Sequence, residues 1–216
     1  MVYYRPIVLY PDFRRLSRTA AKMRRRIANL TSNLFSPPWI GLVLILLVSF
    51  QAADSLSDGI KWSLILTFIS ILPLWLFVLY LVRRHRLDHA FANVRQQRTR
   101  IYGLAVISAG MSCIILLFLG APLTLLALFT ADFLATIIFM CINLWWKISL
   151  HTAFITAAVT LLFILYGFMS MAAIVLIPLV AWARIELGHH SLAQVVTGSL
   201  SATSILVVVF FFFGLL

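Results

Sequence analysis

Apolar residues in this chain come in long blocks, separated by short polar or glycine- and proline-containing breaks. A helix needs about 20 mostly apolar residues to cross a hydrocarbon core roughly 30 Å thick. Residues 39–53 and 62–82 read as the first two spans, with Trp39 and Trp62 at the ends where indole rings favour the interface. A polar turn, 54–59, lies between them. The run 101–146 is too long for one crossing and breaks at Gly120-Ala121-Pro122, predicting spans at 102–119 and 123–144. The run 150–187 divides near Gly167-Phe168-Met169-Ser170, and 195–216 crosses once. The pattern predicts an all-α polytopic membrane bundle of six to seven transmembrane helices, the Gly167 split deciding the count. Pro73 and Pro178 fall inside spans and should kink them. Phe210 to Phe213 should face lipid.

Residues 1–36 differ from the rest and read as a basic arm preceding an integral-membrane domain, 37–216. The arm's basic stretch is too long for a signal peptide. From Asp12, which can cap the start, Phe13, Leu16, Ala20, Met23, Ile27, Leu30 and Leu34 recur at spacings of three and four. Arg14, Arg15, Arg18, Lys22, Arg24, Arg25 and Arg26 fill the positions between. This is the pattern of an amphipathic helix whose partner is an anionic membrane surface, engaged through residues 12–34. A short coiled-coil seam and a nucleic-acid-binding helix are the rival readings, and the membrane surface is preferred over nucleic acid.

Composition agrees with lipid as the solvent. Hydrophobic residues make up 63% of the 216, against about 45–50% in soluble domains, which excludes a water-soluble globule. Mean hydropathy is +1.06. The net charge of +11 is unevenly placed. With seven alternating spans, 16 of the 17 Lys and Arg fall on one side, eight of them in the arm, leaving Lys61 opposite. The positive-inside rule makes the basic side, and the N-terminus with it, cytoplasmic. Cys113 and Cys141 lie inside apolar runs and suit neither a disulfide framework nor a thiolate metal site.

Three polar clusters fall on the basic side. Arg95-Gln96-Gln97-Arg98-Thr99-Arg100 precedes the third span, and Lys147-Ile148-Ser149-Leu150-His151 enters the fifth. Arg184-Ile185-Glu186-Leu187-Gly188-His189-His190 leads to Gln194 at the last span. Guanidinium forks grip phosphate oxygens in pairs and lysine adds a compact charge. Ser149 can cap a helix whose free N–H groups point at an anion. Only Asp88 and Glu186 lie near, so no carboxylate set suits magnesium, and neither metal nor cofactor is expected. His85 and His89 read as a surface patch. Asp132 inside a span is costly; it is either a protonated group bonded to a neighbouring span or a proton relay.

These clusters resemble the motifs of the type 2 phosphatidic acid phosphatase and haloperoxidase superfamily, over roughly residues 83–216. The family carries Lys-x6-Arg-Pro, then Pro-Ser-Gly-His, then Ser-Arg-x5-His-x3-Asp. Arg184 and His190 have the x5 spacing, with Ala183 in place of the serine and Gln194 in place of the aspartate. Ser149 and His151 match the second motif, with Ile148 and Leu150 replacing proline and glycine. The first is recognisable as the basic 95–100 run. The resemblance implies phosphoryl transfer without a metal, through a phosphohistidine on His190, with His151 as acid and base and Gln194 orienting His190. Arg95, Arg98, Lys147, Ser149 and Arg184 would hold the phosphoryl group. The expected substrate is a lipid phosphate, either an isoprenoid (di)phosphate or a phosphatidate-like lipid. The alternatives are a degenerate member that binds or moves anionic lipids and a transporter resting on Asp132. Oligomeric state is not legible.

Overall fold

The computed structural model describes residues 13–85 and 95–216, without the side chains of 13–18 and 95–97. Asp12, Asp88, His89 and the side chain of Arg95 therefore lie outside the described residues. The described elements are α1 (Phe13–Leu34), α2 (Pro37–Ala52), α3 (Leu56–Leu66), a π turn (Thr67–Ile71) and α4 (Leu72–Arg83). They continue as α5 (Arg95–Phe118), α6 (Leu123–Asn143), α7 (Leu150–Tyr166), a 3-10 stretch (Gly167–Val175), α8 (Leu176–Glu186) and α9 (Leu192–Phe212). Five helical stretches are long and apolar enough to cross a bilayer, or six when α1 and α2, bent by 41° at their junction, count as one broken span. The protein is an integral, multi-pass helical bundle.

The breaks follow from local chemistry. Leu56–Arg83 is one continuous stretch, and it meets Pro73 by widening into the π turn just before it, which accommodates the missing N–H. Leu150–Glu186 spans 37 residues, about 55 Å if straight, far beyond a bilayer. It does not run straight. Gly167 holds φ +59° and ψ −141°, a conformation open to glycine, and α8 packs back against α7. The chain thus turns where the sequence places its break, and the end of α8 returns to the start of α7.

Two expectations are corrected. Trp62 does not anchor at an interface: it is 4% exposed and sits in the core. The reason is that α3 begins six residues earlier, at Leu56, where the Ser55 hydroxyl accepts the Asp58 N–H at 3.1 Å and caps the helix. The polar turn is consequently half helix. Phe210 is fully buried, while Phe211 and Phe212 point outward; helical rotation separates neighbours that the sequence groups together.

The two ends of the bundle are held differently. Away from the basic end, Val48, Leu66, Leu116, Leu125, Leu161 and Phe210 form a large apolar core. At the basic end a smaller cluster includes Tyr102, Phe139, Ile148 and Ala202. There α7 and α9 run parallel, joined by a ladder of hydroxyl groups. Thr152 donates to the Val195 carbonyl at 3.1 Å, Thr156 pairs with Ser199 at 3.0 Å, and Thr160 pairs with Thr203 at 3.3 Å. Each rung advances four residues on both helices, fixing their register without a hydrophobic drive, which lipid does not supply.

Gly198 permits this approach: a Cβ there would lie 2.7 Å from the Ser149 carbonyl oxygen and 3.1 Å from the Thr152 hydroxyl. Gly198→Ala should push α9 off the start of α7 and cost about 1–3 kcal/mol, lowering the melting temperature of the detergent-purified protein. Gly103→Ala, on α5 with nothing within 4 Å of its Cβ position, should leave that temperature unchanged or raise it. Equal melting temperatures for the two variants would refute the close approach.

Candidate functional site

Gly188 sets the first part of the site. It ends α8 with φ +70°, while His189 N–H bonds the Arg184 carbonyl at 3.1 Å and Gly188 N–H bonds that of Ile185 at 2.9 Å. This is a Schellman turn, which satisfies the last carbonyls of a helix. The next N–H, that of His190, also reaches the Arg184 carbonyl, at 3.3 Å. The five-residue interval between Arg184 and His190 is therefore one helix end plus its cap. It brings both side chains to one place.

The start of α9 sets the orientation of His190. Ser191 caps the helix in a reciprocal box with Gln194, whose Oε1 accepts the Ser191 N–H at 3.1 Å. The same oxygen lies 3.2 Å from His190 Nδ1. Since the Ser191 amide can only donate, the Gln194 atom facing it is oxygen, and Nδ1 must carry the proton that bonds it. Burial, with Lys147, Arg98 and Arg184 nearby, keeps His190 neutral, so its lone pair lies on Nε2. That atom is buried without a hydrogen-bond partner, and the residue is 6% exposed.

Cations surround it. Arg184, 1% exposed, donates from Nη1 to the Ser32 hydroxyl at 2.7 Å, leaving its buried Nε and Nη2 without partners. Arg98, 5% exposed at the start of α5, donates to the Ile148 carbonyl at 3.1 Å. Lys147 donates to the His189 carbonyl at 2.9 Å, bracing the Schellman turn, and its ammonium has two further donors. His151, in the first turn of α7, is buried within electrostatic reach of Arg184, His190 and Arg98, and the Ser32 backbone hydrogen-bonds its ring. Burial pushes His190 far below its ordinary pKa, and the charges of Lys147, Arg98 and Arg184 push it further. Lys147 is lowered to about 8 by burial, then by Arg98 and Arg184. The charged groups acting on both are cationic. Glu186, the nearby acid on α8, is paired with Arg24 of α1.

Of the sequence-predicted residues, Arg98, Lys147, His151, Arg184, His190 and Gln194 come together. Ser149 sits among them fully buried, its hydroxyl accepting the Thr152 N–H at 3.4 Å as the cap of α7. Arg95 is the first residue of α5. Ser32 was not legible: it stands in the arm, and only the interruption of the basic face by Ala28, Thr31 and Ser32 marks a docking side. Among the described residues no three His, Cys, Asp or Glu side chains gather as a metal site.

A cavity of about 460 Å³ opens beside this cluster. Arg98 and His151 stand at one end, and its walls are largely apolar, including Ile71, Trp75, Ala105, Phe129 and Phe154. From Arg98 to Ala109 along α5 it runs roughly 16 Å, at about 1.5 Å per residue. Asp132 is among the lining residues and, among the described residues, takes no hydrogen bond from a neighbouring span. Comparison with family models, curated proteins and solved structures finds no match to this chain.

Buried Arg184, with two open donors, should bind an oxyanion. Isothermal titration of the purified protein with orthovanadate should show binding that Arg184→Leu weakens about 100-fold, as loss of two charge-assisted hydrogen bonds implies. Exposed Arg100→Leu should change it less than about twofold. Lys147 is charged below its pKa of about 8, so affinity should fall as pH rises through that value, and Lys147→Arg should remove the fall. A wild-type pH profile identical to that of Lys147→Arg would exclude Lys147 from the site.

Proposed function

We propose that the protein is a membrane-embedded lipid phosphatase that removes phosphate from a lipid phosphate through a phosphohistidine on His190. The observation that carries this reading is the His190 Nε2 lone pair, oriented by Gln194 and left open between Arg184 and Lys147. A neutral imidazole aimed into a cationic pocket is a nucleophile facing a place for phosphate. The apolar cavity adjoining Arg98 and His151 suits a hydrocarbon chain, which agrees with the motif resemblance. An isoprenoid (di)phosphate and a phosphatidate-like lipid both fit this description.

In the proposed reaction Nε2 of His190 attacks phosphorus while the bond from phosphorus to the lipid oxygen breaks. His151, protonated once the bound phosphate's negative charge offsets the surrounding cations, gives its proton to that oxygen, and the lipid alcohol or monophosphate leaves. Neutral His151 then takes a proton from water as the water oxygen attacks the phosphohistidine. The P–N bond breaks, inorganic phosphate departs, and His190 and protonated His151 are restored. Arg98, Lys147, Arg184 and the N-terminus of α7 stabilise charge on the transferring phosphoryl oxygens. Each step uses side chains of this chain, with no metal ion or cofactor called upon.

Gln194 favours one rival. It orients His190 as an aspartate would, but it lends no negative charge to the imidazolium-like transition state, so a binder or carrier of anionic lipids would keep the same pocket. Phosphate release from a panel of lipid phosphates in the presence of EDTA separates the two. His190→Ala should reduce release to background with oxyanion binding retained, and His189→Ala should keep most of it. Equal residual activity in the two variants would remove His190 as the nucleophile.

In this reading seven crossings place the N-terminus and the site on the cytoplasmic face. By sequence position the basic arm and Arg83, Arg84, Arg98 and Arg100 fall on that side. In a Cys113→Ser and Cys141→Ser background, Ser57→Cys should react with an impermeant maleimide in intact cells, and Arg84→Cys only after lysis. The reverse pattern would invert the orientation.

A further inference from the structure

The arm helix has three faces, and each meets different surroundings. At about 100° per residue, Arg24, Ala28, Thr31 and Ser32 share one third of the circumference. This face packs on α8: Ala28, Thr31 and Ser32 are buried, and Arg24 pairs with Glu186. The next third is Met23, Ile27, Leu30 and Leu34, between 48% and 71% exposed. Lys22, Arg25, Arg26 and Asn29 form the last, all exposed. A surface anchor requires only an apolar and a basic face. The additional face is bonded into the anion site, where the Ser32 hydroxyl accepts from Arg184 at 2.7 Å and the Ser32 backbone bonds His151.

Depth follows from length. The 16 residues of α2 span about 24 Å, short of a hydrocarbon core of roughly 30 Å. The last turns of α1, leaning 41° from α2, complete the crossing and carry Lys22 to Arg26 into the head-group zone. There each basic residue is drawn to an anionic surface. Without that surface the cationic arm is repelled by the cations beneath it. Among the described contacts, the Arg24–Glu186 pair, the Ser32 bonds and the packing of Ala28 and Thr31 on α8 then oppose its lifting.

We infer that α1 is a lid seated by the negative charge of the leaflet, and that Ser32 is the positioning residue through which seating reaches Arg184 and His151. The catalytic consequence rests on the phosphatase reading; the seating does not. On an anionic leaflet the arm lies against α8 with Ser32 covered and Arg184 held toward His190. On a neutral leaflet the arm lifts, Ser32 is uncovered, and Arg184 loses the hydroxyl that fixes its fork.

The test uses the full chain with Ser32→Cys, Cys113→Ser and Cys141→Ser, reconstituted in vesicles of phosphatidylcholine alone or mixed with phosphatidylglycerol. N-ethylmaleimide should modify the cysteine about tenfold more slowly in the anionic vesicles, a ratio matching about 1.4 kcal/mol. Adding Glu186→Arg should abolish that protection, and adding Arg24→Glu as well should restore it. Equal rates in the two vesicle types, or protection indifferent to Glu186→Arg, would overturn the inference. Phosphate release is measured in parallel with the unsubstituted protein and with Ser32→Ala. The expected result is a kcat raised by anionic lipid in the former and insensitive to it in the latter. Measurable phosphate release with an equal kcat in both vesicle types for the unsubstituted protein would also overturn the inference. Protection without phosphate release in either vesicle would support the lid and remove the phosphatase reading instead.

Discussion

Like charges gathered inside a membrane bundle are the constraint on which this structure depends. Arg98 and Arg184 are buried, Lys147 is half-buried, and the charged groups acting on Lys147 and His190 are cationic. Removing charged groups from water costs several kcal/mol per ion even after relaxation. The fold offsets part of this with neutral acceptors: the Ile148 and His189 carbonyls and the Ser32 hydroxyl. It does not offset all of it, because two nitrogens of Arg184 have no partner. In the proposed function an incoming dianion would supply what the protein lacks, so that binding and stabilisation of the site would be the same event.

Holding mutually repelling groups together requires rigid attachments, and these explain the packing at the basic end. The Schellman turn at Gly188 fixes His190 relative to Arg184, and Lys147 braces that turn from the neighbouring loop. The threonine and serine ladder between α7 and α9, with Gly198 admitting the close approach, fixes His151 relative to His190. Apolar packing dominates the opposite end. Gln194 serves two purposes with one oxygen, closing the cap of α9 and setting the His190 tautomer. An aspartate would add charge to support an imidazolium; glutamine keeps the geometry and omits the charge.

Much of this was legible in the sequence because hydrophobic blocks and charge asymmetry are local properties. The turn at Gly167 and the convergence of Arg98, Lys147, His151, Arg184 and His190 follow from block lengths and from counting crossings. Trp62 was misplaced because a serine cap extended α3 into what read as a polar loop. Phe210 was misplaced because four consecutive aromatics hide a helical rotation. Ser32 escaped notice for a different reason. Its role depends on contact with Arg184, 152 positions away, and the apolar stripe of α1 drew attention to the bilayer face alone. The cavity and the position of Asp132 on its wall likewise arise from the packing of α1, α2, α4, α5, α6 and α7 and belong to none of them individually.

The central claim is that His190 Nε2 forms a bond to phosphorus. Rapid-quench mixing with radiolabelled lipid phosphate, followed by alkaline work-up and peptide mass spectrometry, tests it directly. The account predicts an acid-labile, alkali-stable phosphoryl group on His190 that forms before phosphate is released and is absent from His190→Ala. Phosphate release with no label on His190 at any quench time, or label on His151 or His189 instead, would contradict it.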